Sequence, residues 1–377
     1  MSGPLAGVKV IELAGIGPSP YACMLLADLG ADVLRFERAN PDAKDEPYFD
    51  LLTRSRPSVA LNLKHDDSRE LILELSEQAD ILIEGFRHGV TERLGVGPHD
   101  LLARNPRLVY GRMTGWGQEG PLANQVGHDI NYIAISGALW PVGRAGERPV
   151  PPLNLVGDFG GGSMMLVFGV LAALVSARST GVGQVVDAAM VDGSASLLTM
   201  THSFLNAGLW HEERGVNLLD SGAHFYEVYE TRDQKYVAVG AIEPKFYAAL
   251  LDGLGLSNEA LPAQMNRGEW PSMKERFAAV FATKTRDEWT TLFEGTDACV
   301  SPVLSPREAA QYEHNVARGV FQGGDTLQPS PAPRFSKTPG AVGRAPTTPG
   351  SGTREGLTAW GLTSERIDAL QASGALG

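Results

Sequence analysis

Two short segments of the chain contain side chains that can transfer protons. The first segment lies just before a stretch with the pattern of a helix. Gly127, His128 and Asp129 precede residues 130–139, whose pattern predicts a helix. An imidazole and a carboxyl at a helix N-terminus can transfer protons, and the free backbone N–H groups there can stabilise an oxyanion. The structural alternative is that Asp129 caps the helix and His128 packs beside it.

The second segment, residues 154–163, is a glycine-rich entry to the most apolar helical stretch of the chain. It holds Asp158 next to Phe159, where desolvation would raise the carboxyl pKa, as a general base requires. Three consecutive glycines, 160–162, would let a ligand approach the backbone closely. The alternative is an N-cap Asp followed by glycines that permit tight helix packing. Glu243, before a proline at another predicted helix start, is by pattern alone an ordinary acidic residue at a helix N-terminus.

Cationic residues cluster at the ends of several predicted strands or just after them: Arg35, Arg38, Lys64, Arg87 and Arg93. An open α/β sheet binds its ligand at this edge, so the group favours an anion site suited to a polyphosphate, although any one of them alone also fits an ordinary surface charge. The first turn, residues 14–20, is a poor nicotinamide or flavin site. It lacks a third glycine, and Pro18 and Pro20 remove two backbone donors.

Composition narrows the function classes. The 377 residues are 43% hydrophobic and carry 32 basic against 44 acidic side chains, a formal net charge of −12. This composition predicts a folded protein and disfavours nucleic-acid and acidic-membrane partners. The only cysteines, Cys23 and Cys299, provide neither a disulfide framework nor a zinc site, so we expect a reducing, cytoplasmic setting. No signal-peptide pattern is present, and the apolar run 164–175 is short for a membrane span and is expected to be a buried core helix.

The hydrophobic periodicity predicts an α/β fold in two parts. Predicted strands cover residues 8–13, 32–37, 58–63, 81–84, 108–112 and 184–188, with helices at 20–29, 67–78, through much of 128–177 and from 191 towards 205. They indicate a parallel sheet with both faces covered. A hairpin at 225–231 and 235–242, with helices at 244–254, 273–282 and 287–293, predicts a small α+β domain. We expect a large domain over 1–190, a linker over 191–224, the small domain over 225–320, and a strap with a C-terminal helix over 321–377.

Several stretches together resemble class III CoA-transferase family proteins. They include the opening PLAGVKVIELA from Pro4 to Ala14 and LADLGADV from Leu26 to Val33. Further similar segments are NLK at 62–64, ADILIEGFR at 79–87, GHDINY at 127–132 and the loop GDFGGG at 157–162. The His128-Asp129 pair and the segment Ile130-Asn131-Tyr132 are similar to the α-methylacyl-CoA racemase branch. The resemblance extends to the second domain through the segments 239–244 and 298–304.

The resemblance implies a large Rossmann-like domain and a small domain joined by long linkers in an interlocked homodimer. It also implies that His128 and Asp158 are the acid and base, with Glu243 of the partner subunit beside His128. CoA would lie against the large domain, and the residues implied to contact it or the acyl group are Ile16, Arg38, Lys64, Arg87, Arg93, Asn154 and Tyr226. No metal or redox cofactor is expected, because the thioester is the substrate.

Three functions remain open at this stage. The preferred one is racemisation of 2-methylacyl-CoA thioesters, in which His128 and Asp158 exchange the α-proton on opposite faces and the Asp129 backbone N–H holds the enolate oxygen. The second is CoA transfer between carboxylic acids through an anhydride at Asp129. The third is CoA binding without catalysis. An adaptable acyl surface is suggested by five methionines, most of which also fit as core: Met113, Met164, Met165, Met190 and Met200.

Overall fold

The structure, a computed structural model, describes residues 3–38, 50–324 and 326–377. The chain divides into two compact units. The first comprises the N-terminal part up to residue 138, residues 153–198 and residues 321–377. The second comprises residues 139–152 and 199–320.

A six-stranded parallel sheet forms the centre of the first unit. Its strands are β1 (Lys9–Leu13), β2 (Asp32–Glu37), β3 (Ser58–Ala60), β4 (Ile81–Glu84), β5 (Val109–Thr114) and β6 (Val185–Ala189). The strand order is β3-β2-β1-β4-β5-β6, and every neighbouring pair is parallel. The chain changes direction across the sheet between β1 and β4, where such folds form a ligand crevice at the carboxyl ends of the strands. The predicted Rossmann-like α/β architecture is confirmed.

Helices cover both faces of this sheet, as predicted. They are α1 (Pro18–Asp28), α2 (Asp66–Ser76), α3 (Val90–Arg93), α4 (Pro98–Arg104), α5 (Asp129–Ile135), a π-helix (Leu155–Met164), α6 (Met165–Thr180) and α7 (Met190–Leu197). A short 3-10 turn lies at Leu51–Thr53. Alternate β1 residues point to opposite sides, so Ile11 joins the core beneath α2 and Val10 joins the core beneath α1 and α6.

The second unit is built on a small antiparallel sheet, in the order β7 (Tyr226–Glu230), β8 (Tyr236–Gly240) and β9 (Val300–Pro302). The predicted hairpin is confirmed. Its helices are α8 (Thr199–Asn206), α9 (Pro244–Leu254), α10 (Trp270–Phe281), α11 (Arg286–Phe293), α12 (Pro306–Ala309) and α13 (Glu313–Arg318), with a 3-10 turn at Arg267–Glu269. Large aromatic side chains fill its core, among them Phe225, Phe277 and Trp289.

The C-terminal segment packs on the first unit. Two antiparallel strands of two residues each, β10 (Phe321–Gln322) and β11 (Gln328–Pro329), begin this segment. An extended proline-rich stretch follows, and then α14 (Thr353–Ala359) and α15 (Ser364–Ala372). The backbone N–H of Ala341 donates to the Asp28 carbonyl at 2.9 Å. β3 is shorter than predicted, because Leu61 instead forms an isolated antiparallel bridge with Leu376.

The middle of the chain departs from the predicted continuous helices. Residues 136–154 between α5 and the π-helix contain no helix, and 139–152 belong to the second unit. The predicted helix 191–205 is two helices, α7 and α8, which lie in different units. The expected linker 191–224 is therefore not a separate segment, because α7 packs on the π-helix of the first unit.

Residues 165–175 form the predicted helix, but the expectation that it is buried in the core holds for only one of its faces. The π-helix and α6 form one 26-residue helix, which by length and composition alone is apolar enough to cross a membrane. Only 39% of its most apolar window is buried. Leu166 and Val170 face the sheet, whereas Phe168 is 73% exposed and Val175 71% exposed. The sequence is apolar on all sides, so its pattern did not reveal that only one face is covered.

A buried histidine makes the second unit sensitive to acid. His224 is 1% exposed, packs against the rings of Phe225, Tyr247 and Phe277, and lies 2.8 Å from the Tyr247 hydroxyl through Nε2. Burial lowers the pKa of His224 to about 4. The unfolded chain therefore binds this proton more readily, and stability is lost as the pH falls from the ordinary histidine pKa towards 4.

We predict that lowering the pH from 7 to 5 removes about 2 kcal/mol of stability from the second unit through this group. Hydrogen exchange of the β8 amides reports the loss. In a His224→Asn variant the same pH change should have a smaller effect. An identical pH dependence in the wild type and the variant would contradict this assignment.

Candidate active site

His128 is fixed by its position at the start of α5. Its backbone N–H donates to Asn131 Oδ1 at 3.0 Å, and its carbonyl accepts the Asn131 N–H at 2.8 Å. The imidazole is exposed. The capping residue is therefore His128, and the structural alternative in which Asp129 caps the helix is wrong. Backbone locking of this kind presents the imidazole at the helix N-terminus.

Asp129 is the buried first residue of α5. It is 8% exposed, and its Oδ2 accepts the backbone N–H of Asp158 at 2.7 Å. Its Oδ1 is shielded from solvent and has no hydrogen-bond partner among the described residues. A side chain at Gly157 would overlap Asp129 Oδ2, so glycine is required there for the two helices to meet. Asp129 thus joins α5 to the π-helix.

The carboxyl of Asp158 lies at the N-terminus of α1. Asn154 Nδ2 donates to its Oδ2 at 3.2 Å. Gly17, the residue that precedes α1, has a left-handed φ of 71°, and a Cβ there would lie 3.1 Å from the same oxygen. Ser163 Oγ is 3.0 Å from the Asp158 carbonyl and 2.8 Å from that of Pro18, which links the π-helix to α1.

Three neighbouring side chains affect the pKa of Asp158. Burial raises the pKa of Asp158, and the negative charge of Asp129 raises it further. The Asn154 hydrogen bond and the charge of His128 lower it. His128 directly precedes Asp129, whose Oδ2 accepts the Asp158 N–H at 2.7 Å, so the chain holds the two candidate residues near each other. A carboxyl with a raised pKa is better suited to donating a proton near neutral pH than an ordinary aspartate.

The three consecutive glycines serve helix packing. A Cβ at Gly161 would lie 2.6 Å from the Ser194 backbone nitrogen, and one at Gly162 would lie 2.9 Å from Met190 Cγ. A side chain at Gly193 would overlap the Gly161 carbonyl. These close contacts seat the π-helix on α7, as the structural alternative expected of the glycines, but Asp158 is not the N-cap, because Asn154 precedes the helix.

The five cations separate into two kinds. Arg35 is 5% exposed and pairs with Glu12 and Glu37, so it is a structural residue and not part of an anion site. The others are exposed, follow the carboxyl ends of β2, β3 and β4, and form no side-chain hydrogen bond or ion pair with the described residues: Arg38, Lys64, Arg87 and Arg93. Within the described part of the chain, no carboxylate competes with an anion for these four side chains.

The remaining predicted positions are divided between the units. Ile16, in the loop after β1, is 95% exposed. Tyr226 begins β7 and Glu243 precedes α9 as an exposed residue, so both belong to the second unit. The methionines are mixed: Met113 and Met190 are core residues, whereas Met164 and Met200 are more than half exposed and Met165 is half-buried. Within the described ranges, no three His, Cys, Asp or Glu side chains could hold a metal ion.

Sequence reasoning missed three residues that support the site. Asn131 lies three residues after the cap, which is a recognisable capping signal, so the sequence could have predicted its role. The roles of Gly17 and Ser163 depend on how α1 meets the π-helix. No local pattern reports that contact.

Comparisons with known proteins agree with the architecture. The model of CoA-transferase family III matches residues 5–354. The chain is 47% identical to alpha-methylacyl-CoA racemase of Mus musculus over 372 residues, which cover 98% of this chain and 96% of that protein. It is 44% identical, with the same coverage, to the Homo sapiens protein of that name. The crystal structure of a CAIB/BAIF family protein from Brucella suis matches in fold, with a TM-score of 0.81, 23% identity, and coverage of 96% of this chain and 100% of that one.

We predict that Asp158 titrates above the range of a solvent-exposed aspartate, and that Asn154→Ala raises its pKa further by removing a hydrogen bond to the charged form. Carbon NMR of the aspartate carboxyls measures both, with Asp158→Asn identifying the resonance. Asn206→Ala, at an exposed asparagine of the second unit, is the control and should leave the pKa unchanged. An ordinary pKa, or no response to Asn154→Ala, would refute this picture of the site.

Proposed function

The chain belongs to CoA-transferase family III, and we propose that it is an isomerase that interconverts the (2R) and (2S) epimers of 2-methylacyl-CoA thioesters. The observation that carries the proposal is the placement of His128 and Asp158 on two helices that a hydrogen bond joins, from the Asp158 backbone N–H to Asp129 Oδ2. The racemases named above share 47% and 44% identity with this chain over nearly its whole length.

The reaction needs two proton-transfer groups. The α-hydrogen of a thioester is weakly acidic, so inversion requires a base on one face of the α-carbon and an acid on the other. His128 removes the α-proton of one epimer, and protonated Asp158 delivers a proton to the opposite face. For the other epimer the roles reverse, so one proton is removed and one is added in each turnover.

The enolate between these steps requires charge stabilisation. The backbone N–H of Asp129, in the first turn of α5, has no hydrogen-bond partner among the described residues and is proposed to hold the enolate oxygen. The thioester itself accepts the electron density, so the mechanism uses no metal or redox cofactor. The CoA portion would lie along the crevice edge, its phosphates facing Arg38, Lys64, Arg87 and Arg93. Ile16, Asn154 and Tyr226 complete the proposed substrate contacts.

We further propose that the enzyme works as a homodimer, in which Glu243 of the partner subunit pairs with His128. Two features support a second copy. Glu243 is exposed in the single chain. On α6, Phe168 and Val175 are also exposed, because they lie on the side of the helix that faces away from the sheet. Large exposed apolar side chains on one helix face are typical of an interface.

CoA transfer through an anhydride at Asp129 is less well supported. A nucleophilic carboxylate must reach the thioester carbonyl. The Asp129 carboxylate is instead 8% exposed, with Oδ1 shielded and Oδ2 hydrogen-bonded to the Asp158 backbone. Its geometry suits a positioning role, in which it orients Asp158.

We predict that His128→Ala and Asp158→Ala each lower kcat for epimerisation by at least about 10²-fold, because each removes one of the two proton carriers. The assay is loss of optical purity of a single-epimer 2-methylacyl-CoA. His99→Ala, at a histidine of α4 whose side chain is 98% exposed, is the matched control for histidine and should retain most of the activity. Near-normal racemisation in either site variant would remove that residue from the mechanism.

Replacing Asp129 distinguishes racemisation from transfer. Asn can still accept the Asp158 N–H through its side-chain oxygen, so Asp129→Asn should keep racemisation within about tenfold of the wild type, whereas Asp129→Ala should lose more. An anhydride mechanism requires the carboxylate, so a transferase would lose essentially all CoA transfer in both variants. Transfer of CoA to an added carboxylic acid by the wild type, abolished equally by Asn and Ala, would therefore favour the transferase.

A further inference from the structure

A buried charge cluster that the mechanism does not use lies beneath the loop after β4. Glu84, the last residue of β4, is 1% exposed, and Arg112, its register partner on β5, is 6% exposed. Glu84 Oε1 accepts from Arg112 Nε at 2.9 Å, and Oε2 accepts the backbone N–H of Phe86 at 2.7 Å. Burial raises the pKa of Glu84 to about 7, so these two bonds only partly offset its desolvation.

Arg112 extends from the sheet to α3. Its Nη1 donates to Glu92 Oε1 at 2.8 Å, and Nη2 donates to Glu92 Oε2 at 3.3 Å. Nη2 also reaches Oγ1 of the buried Thr91 at 3.4 Å. A planar guanidinium that forms two bonds to one carboxylate sets both the distance and the orientation of its partner. We call Glu84, Arg112 and Glu92 the Arg112 cluster.

The Arg112 cluster holds both ends of one segment. Glu84 binds the start of the loop at Phe86, whose ring packs on the core, and Arg112 binds α3 at Thr91 and Glu92. Arg87 lies between these attachment points, and Arg93 directly follows the second. Both arginines are exposed and form no ion pair with the described residues.

We propose that the Arg112 cluster is a positioning device that holds Arg87 and Arg93 in register for the phosphates of the CoA moiety. The inference rests on the proposed function, because it takes a CoA thioester as the substrate. It assigns the cluster to recognition of the nucleotide end and gives it no part in proton transfer. Exposed arginine side chains lose much conformational freedom when they bind phosphate, so a fixed backbone beneath them lowers the cost of binding.

Glu92 is the best place to test the cluster. Its side chain is 44% exposed, so changing it avoids leaving a fully buried charge without a partner. Glu92→Asp keeps the negative charge but shortens the side chain, which breaks the paired contact with Arg112. Glu119→Asp is the matched control, since Glu119 is an exposed carboxylate after β5 with no ion pair to the described residues. Any difference between the two variants reflects positioning and not net charge.

The experiment measures Kd for CoA by calorimetry, and KM and kcat for two thioesters of the same 2-methylacyl group. One is the CoA thioester and the other is the pantetheine thioester, which lacks the nucleotide and its phosphates. Glu92→Asp should raise Kd and KM for the CoA species by about three- to tenfold, in the range of a weakened charged contact. It should leave kcat, and kcat/KM for the pantetheine thioester, within about twofold. Glu119→Asp should change neither.

A double-mutant cycle supplies the decisive control. If the cluster acts through the two arginines, Glu92→Asp should have little further effect on Kd for CoA in an Arg87→Ala/Arg93→Ala background. Equal losses for both thioesters, an unchanged Kd for CoA, or full additivity in the cycle would overturn the inference. Calorimetry of CoA needs no turnover, so the cluster can be tested even if the enzyme fails to racemise the substrate and the proposed function is wrong.

Discussion

One partly buried hydrogen bond, from the Asp158 backbone N–H to Asp129 Oδ2, determines the geometry on which the rest of the site depends. It joins the start of α5, which presents His128, to the π-helix, which presents Asp158. The contact is possible only because residue 157 is glycine, and the π-helix is itself held by its close packing on α7. The charge at this joint also acts on the chemistry, because Asp129 helps to raise the pKa of the neighbouring carboxyl. Asp129 therefore both positions Asp158 and raises the pKa of its carboxyl.

The arginines of the first unit fall into buried and exposed groups. The buried ones pair with carboxylates: Arg35 and Arg56 with Glu12, Arg54 with Asp28, and Arg112 with Glu84. Those at the crevice edge carry no partner within the described residues. Burying an unpaired charge is costly, whereas an exposed cation remains free to bind a phosphate. In a chain with a net charge of −12, this separation of roles creates a local positive edge where the overall field is negative.

Sequence patterns predicted most of the sheet, because β1 to β5 are short, largely buried runs bounded by turns. They also singled out His128 and Asp158 as candidates, since a polar pair before a helix and a carboxyl in a glycine-rich segment stand out locally. They failed where the outcome depended on distant partners. Arg35 lies inside β2 and Arg38 follows the end of that strand, and only the positions of Glu12 and Glu37 show that Arg35 is structural. Similarly, α6 is apolar on all sides, so only the tertiary packing shows which face the sheet covers.

The most direct test of the central claim uses the wild-type protein and one pure epimer of a 2-methylacyl-CoA in D₂O, with a free carboxylic acid present. Proton NMR and chiral analysis follow the α-carbon, while chromatography follows CoA. The two-base account predicts deuterium at the α-carbon together with loss of optical purity, and no CoA on the added acid. Transfer of CoA to the acid, with the α-hydrogen and configuration of the remaining thioester retained, would contradict it.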